Sequence, residues 1–213
     1  MIDKEYKTGQ EQFWAGDFGT QYIGRNAGEK LLASNLDFFS RALRNARQID
    51  SCIEFGPNIG MNLRALKLLF PAQQQYGIEI NKDAAKLLAS AIPSENVLTE
   101  SILEFSPDRQ WDLVLIKGVL IHINPDVLES VYDRLASAAE RHVLIAEYYN
   151  PTPVSIPYRG HSDRLFKRDF AGEFIDRHPE FQLLDYGFSY HRDPKFPQDD
   201  ITWFLLERRL PSC

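Results

Sequence analysis

The chain has 213 residues, 44% of them hydrophobic and 25% charged, with a formal net charge of −6. No run approaches the roughly 18 apolar residues of a membrane span, and no Lys/Arg block offers a surface for a nucleic-acid backbone. The 2 cysteines, Cys52 in an apolar stretch and Cys213 at the terminus, make neither a disulfide framework nor a metal cluster. Met1-Ile2-Asp3-Lys4-Glu5 lacks the apolar core of a signal peptide. The expectation is one cytoplasmic domain over residues 1–213, with no metal and no membrane or nucleic-acid partner.

Residues 1–30 combine Phe13-Trp14-Ala15-Gly16-Asp17-Phe18-Gly19 with Tyr22, Arg25 and Asn26, large aromatics among glycines without a single period. Two readings are open: a flap whose aromatics cap the core, or a lid over a pocket. In the second, Tyr22 and Arg25 reach a ligand, Arg through its bidentate fork. The spacing of Leu31, Leu32, Leu36, Phe38, Phe39, Ala42 and Leu43 predicts a helix over 28–46. A strand over 49–55, a turn over 56–60 and a helix over 62–70, stopped by Pro71, follow. A strand over 75–80 and a helix over 82–91, closed by Pro93, repeat the unit.

Further on, a short strand at 97–99 precedes a strand at 111–116 of the apolar kind buried on both faces. Asn124-Pro125-Asp126 opens a helix through Ala138, with proline in the tolerated first turn. A fifth strand spans 141–147. Residues 148–160 hold three prolines and no period, and the segment 148–166 reads as a substrate loop, because long structureless connections in compact domains usually carry function. A helix over 169–177 leads to strands at 181–189 and 201–207, paired as a long hairpin across a polar link. The repeated βα units predict an α/β, Rossmann-like, doubly wound sheet of seven strands, mostly parallel with an antiparallel C-terminal hairpin strand.

The stretch Cys52-Ile53-Glu54-Phe55-Gly56-Pro57-Asn58-Ile59-Gly60 runs an apolar strand into a glycine-punctuated turn, where α/β proteins hold cofactors. A dinucleotide fingerprint wants Gly-x-Gly-x-x-Gly. Here Asn58 holds the middle position, the last glycine comes one residue early, and Pro57 removes an N–H. No Gly-Lys-Ser/Thr of a P-loop follows. The turn needs left-handed tolerance at position 58, which Asn supplies, and Glu54 repels a pyrophosphate while favouring an amine-bearing ligand. Glu79 comes 19 residues after Gly60, where an acidic side chain meets ribose hydroxyls. A glutamate at a strand end is alone as often structural as functional. Glu54, Gly56, Gly60 and Glu79 together select adenosine with an ammonium group and no pyrophosphate, which is S-adenosylmethionine.

Residues 49–147 resemble the core of the class I S-adenosylmethionine-dependent methyltransferases. Glu54 to Gly60 is similar to that family's first motif, departing at Asn58, where glycine is commoner. Gly77-Ile78-Glu79-Ile80 resembles the ribose-binding second motif. Glu100-Ser101-Ile102 falls where the family often has Gly-Asp-Ala, so Ser101 replaces an adenine-contacting Asp and the backbone of Ile102 remains for the contact. Trp111 to Ile123 is similar to the fourth motif and includes Lys117 and His122. A narrower resemblance, on Phe13 to Gly19, Tyr22, Arg25-Asn26, Lys117 to Pro125 and Tyr158-Arg159-Gly160-His161, is to methyltransferases associated with pseudaminic acid biosynthesis. It implies a sialic-acid-like sugar or its nucleotide-activated form as small-molecule substrate, in glycan biosynthesis. In the lid reading of residues 1–30, Trp14, Tyr22 and Arg25 are the candidate cofactor contacts.

Methyl transfer from a sulfonium is an in-line displacement in which positioning does most of the work, and a base is needed only for a hydroxyl or protonated amine. His122 and His161 are the candidate bases; the structural reading of His122 is a histidine opening a helix after an apolar run. Tyr148 and Tyr158 are candidates for the acceptor pocket, and Arg159 and Arg164 for anchoring a carboxylate or phosphate. Two other readings stay open: a non-catalytic cofactor-binding methyltransferase-like partner, and an NAD-dependent nucleotide-sugar oxidoreductase.

Overall fold

The computed structural model describes residues 6–25 and 28–209, with the side chain of Arg25 outside the described set together with Asn26. Two short helices, α1 (Gly9–Ala15) and α2 (Asp17–Tyr22), open the chain and precede α3 (Glu29–Ala42). The βα units are β1 (Ser51–Phe55), α4 (Met61–Leu69), β2 (Gln74–Ile78), α5 (Lys82–Leu88), β3 (Val97–Leu98), β4 (Trp111–Lys117), α6 (Leu128–Ala138) and β5 (Ala139–Glu147). A small ribbon of β6 (Val154–Ser155) and β7 (Phe166–Lys167) leads to α7 (Phe170–Arg177), β8 (Phe181–Ser189) and β9 (Ile201–Arg208).

The main sheet has seven strands in the order β3-β2-β1-β4-β5-β9-β8. Strands β1 to β5 are mutually parallel, and β9 runs antiparallel between β5 and β8. Every residue of β1 is buried, as are the first six of β4, because helices cover both faces. Side chains alternate across the sheet. Ile53, Phe55, Val114 and Ile116 pack with Val131 and Leu135 of α6 and Phe170 and Phe174 of α7. Cys52, Leu113 and Leu115 pack with Phe38 and Phe39 of α3 and Leu63 and Leu66 of α4. The strand order reverses between β1 and β4, so a crevice opens at the carboxyl ends of these two strands.

Where the structure departs from the sequence reading, local caps and turns explain it. Among the described residues of the N-terminal segment 1–30, where the sequence shows no single period, 9–15 and 17–22 are helical. Thr8 is the N-cap of α1 and exchanges hydrogen bonds with Glu11 in a capping box, while Gly16 separates α1 from α2. Residues 148–166 fold into a hairpin ribbon rather than an open loop. Tyr158 and His161 exchange backbone hydrogen bonds of 2.8 and 3.0 Å around Arg159 and Gly160, whose φ values are 48° and 84°, both positive as a type I′ turn requires. The helix expected from Asn124 begins as a short turn over 125–127 and becomes α-helical at Leu128.

Candidate active site

At the carboxyl ends of β1 to β5 lies a cavity of about 260 Å³. Its floor is the turn after β1, and that turn has spent its amides. The Gly56 N–H donates to Ile78 O at 2.9 Å, and Gly60 N–H donates to Pro57 O at 2.9 Å. Pro57 has no N–H, Asn58 N–H donates to Glu79 Oε2 at 2.8 Å, and Ile59 N–H donates to Asn58 Oδ1 at 2.8 Å. Asn58 stands at φ 52°, the left-handed conformation that its short polar side chain tolerates. A Cβ on Gly56, at φ 76°, would lie 2.7 Å from Val119 Cγ2. The turn therefore approaches a ligand with its surface and offers none of the amides of residues 56–60 to a phosphate.

Glu79 stands just beyond β2 and lines the cavity. Its Oε1 accepts from Asn81 N–H at 2.8 Å, matching the bond from Asn58 to Oε2. A carboxylate accepts about four hydrogen bonds in all, so Glu79 keeps acceptor capacity at the cavity wall. Burial pushes the Glu79 carboxyl up, and the amides of Asn81, Asn58 and Ile80 oppose that shift. Ile80, Ser101 and Ile102 line the same end.

Toward the switch point, Lys117 lines the cavity, while Glu54 is fully buried beneath it and is not a lining residue. Glu54 Oε1 accepts from Asn62 Nδ2 at 2.6 Å, and Asn62 lines the cavity in its place. The other oxygen, Oε2, is buried without a hydrogen-bond partner among the described residues. Burial pushes the Glu54 carboxyl up to about 7, against the Asn62 bond and the charge of Lys117. Burial likewise lowers Lys117, opposed by the carboxylates of Glu54, Asp199 and Glu147. Asp199 and Gln198 reach the cavity from the β8–β9 connection, and Gln198 Nε2 bonds Asn35 Oδ1 of α3 at 3.0 Å.

His122 lines the opposite wall. Glu147, at the end of β5, accepts from Val119 and Leu120 N–H, both at 2.9 Å, and so fixes the tight turn over 120–122 that carries the imidazole. His122 Nδ1 is 2.6 Å from the Arg164 carbonyl. A carbonyl only accepts, so Nδ1 bears the proton and Nε2 is the free ring nitrogen. Burial drops this imidazole to about 4, and Trp14 and Tyr158 lie at ring-centroid distances of 4.7 and 5.3 Å from it. Trp14 Nε1 is a second buried polar atom with no partner among the described residues.

Of the other residues singled out from the sequence, Tyr22, Tyr148 and Tyr158 line the cavity. His161, Arg159 and Arg164 do not. His161 is exposed and packs edge-on against Phe13 at 5.4 Å. The Arg159 guanidinium lies over the rings of Phe18 and Tyr158, at 5.7 and 5.4 Å. Arg164 pairs with Asp163 and lies over Phe13 at 5.6 Å, contributing its backbone carbonyl rather than its charge. Gly60 acts through backbone alone, at φ 85° before α4. Glu11, Asn62, Asn81, Gln198 and Asp199 are cavity residues that the sequence reading passed over; the Thr8-x-x-Glu11 capping-box spacing was the one signal for the first of them. No group of three or more His, Cys, Asp or Glu able to hold a metal occurs among the described residues.

Glu54 and Glu147 are both raised from 4.5 to about 7 by burial. A folded-state pKa above the unfolded one gives stability that is fully present below pH 4.5 and is lost as pH rises through 7. Glu54→Gln keeps an acceptor for Asn62 and removes one such titration. Its unfolding free energy in urea, relative to the native chain, should rise between pH 5 and 8 by on the order of 1–3 kcal/mol. A difference independent of pH would contradict the buried charge.

No family model matches the chain, and no curated protein matches it in sequence. Solved structures do match. A Burkholderia thailandensis 1,6-didemethyltoxoflavin-N1-methyltransferase, with S-adenosylhomocysteine bound, is similar at TM-score 0.67 and 14% identity, over 98% of this chain and 94% of that one. The Synechocystis magnesium protoporphyrin IX methyltransferase with bound S-adenosylmethionine gives 0.65 and 12%, over 96% and 100%. A Bradyrhizobium japonicum N-methyltransferase with S-adenosylhomocysteine gives 0.63 and 12%, over 93% and 96%. The chain has the seven-stranded α/β fold of the class I S-adenosylmethionine-dependent methyltransferases.

Proposed function

We propose that the protein transfers a methyl group from S-adenosylmethionine to a small molecule. The observation that carries this reading is the turn over 56–60, whose amides are all engaged within the protein while Glu79 keeps acceptor capacity toward the cavity. That pairing suits a nucleoside without a pyrophosphate, and it disfavours the oxidoreductase reading for the same reason. S-adenosylmethionine supplies a methyl already activated on a sulfonium, so no metal or redox chemistry has to be provided by the chain. Carboxylates predominate in the lining, with Glu11, Glu79, Glu147 and Asp199 against Lys117, which matches a cationic donor.

In this reading the chain's own work is positioning and proton removal. Glu79 holds the ribose, and Trp14 and Tyr22 of the lid close over the cavity. Trp14, Tyr158 and the hairpin exclude water around His122. With Nδ1–H engaged by the Arg164 carbonyl, the lone pair at Nε2 accepts a proton from a hydroxyl or amine of the acceptor. The finer reading, a sialic-acid-like sugar as acceptor, rests on the sequence resemblance. Arg159 and Arg164 are not placed to hold its carboxylate; Lys117 is the one Lys or Arg among the described lining residues.

The direct test is incubation with methyl-labelled S-adenosylmethionine and an extract of the source cells. Label should enter the low-mass fraction only when the protein is added; label confined to protein or RNA would contradict the small-molecule reading. His122→Asn should lower kcat by about 10²- to 10³-fold. Because His122 titrates near 4, the ratio of native to His122→Asn activity should stay constant from pH 5 to 8 and fall only below about pH 5. A ratio falling through pH 6.5, the value of an ordinary imidazole, would contradict the buried neutral ring.

A further inference from the structure

We infer that Glu11, carried by lid helix α1, reads the exocyclic amine of the adenine; this rests on the donor proposed above. Glu79 at the end of β2 marks the ribose, and the next strand outward is β3. The turn after β3 supplies Ser101, Ile102 and Leu103 to the cavity wall, with Val127 nearby on the same core cluster. An apolar slot with one carboxylate at its edge suits a flat heteroaromatic ring that presents a donor.

Ser101 does not itself present a free hydroxyl. Its O–H donates to Glu11 Oε1, and its oxygen accepts from Leu103 N–H at 3.0 Å. The hydroxyl thus aims the Glu11 carboxylate, and Ser101 is a positioning residue. Glu11 is only 8% exposed and lines the cavity. Its Oε2 accepts from Thr8 N–H at 2.9 Å, while Oε1 uses one lone pair on Ser101 and keeps another. Lys7 Nζ bonds Leu103 O at 2.9 Å, a second tie between the start of α1 and the same turn. The acceptor for the adenine amine therefore arrives with the lid, and a purine amine bound there would hold the lid shut.

The test compares calorimetric affinities for S-adenosylhomocysteine and for its purine-riboside counterpart, which lacks the 6-amino group. The native protein should prefer the amine-bearing ligand by about 10- to 100-fold, the range of a hydrogen bond to a charged group. In Glu11→Ala the preference should fall to about one. Damage to the capping box would weaken both ligands in parallel and leave the ratio unmoved, so the ratio separates recognition from structure. Glu11→Gln keeps one acceptor oxygen, which the capping box takes, and turns an amide NH2 toward the slot, so its ratio should also fall to about one while the box is retained. Ser101→Ala should lower the ratio as well. If S-adenosylhomocysteine binds but the ratio is unchanged in these variants, the inference is overturned and the methyl-donor reading stands. If the native protein binds neither ligand, both fall.

Discussion

The carboxylate of Glu79 sits between two backbone amides, accepting from Asn58 on one side and from Asn81 on the other, each at 2.8 Å. Asn58 belongs to the turn that follows β1, and Asn81 is the N-cap of α5. One side chain at the end of β2 therefore ties two neighbouring βα turns together while lining the cavity. The connection continues outward. Asn81 Nδ2 donates to Trp14 O at 3.2 Å and to Thr20 Oγ1 at 3.1 Å, so the floor of the site and helices α1 and α2 share a hydrogen-bonded frame. Buried charge–amide bonds of this kind are strong because little water competes for them.

A second frame of the same design holds the other wall. Glu147 at the end of β5 caps the turn over 120–122, that turn carries His122, and the His122 ring is oriented by the Arg164 carbonyl of the hairpin ribbon. Helix α1 meets this wall through Trp14 on His122 and through Gln10 Nε2, which donates to Asp163 O at 2.9 Å. Both frames rest on buried carboxylates at the carboxyl ends of parallel strands. Burial raises these groups and the amides restrain them, an arrangement that costs stability at neutral pH and keeps the site rigid. Helices α1 and α2 thus contact both frames of one cavity.

The centre of the sheet was legible because β1 and β4, buried along nearly their whole length, read as short apolar runs, and Pro71, Pro93 and the glycines of the turn punctuate the βα units around them. Asn58 was legible for a local reason, since few residues other than Gly and Asn adopt positive φ readily. The lid helices were not, because helices of seven and six residues make fewer than two full turns and display no periodic face. The hairpin tip escaped notice because Arg159-Gly160 is an unusual pair for a type I′ turn, where Asn or Asp normally precedes Gly. Arg164 illustrates a deeper obstacle. Its charge drew attention as an anchor, whereas the fold uses its carbonyl, which every residue type possesses. Glu54 was identified as an acidic residue of the site, but only the three-dimensional arrangement shows Asn62 standing between it and the cavity.

The proposed selection of a nucleoside over a dinucleotide, by a turn whose amides at 56–60 are engaged within the protein, is tested most directly by competition. With S-adenosylhomocysteine bound and followed calorimetrically, millimolar NAD⁺ or ADP should leave its apparent affinity unchanged, because their phosphates find no amide donors at residues 56–60. Displacement by NAD⁺ or ADP at micromolar concentration, or failure of S-adenosylhomocysteine to bind at all, would contradict the account.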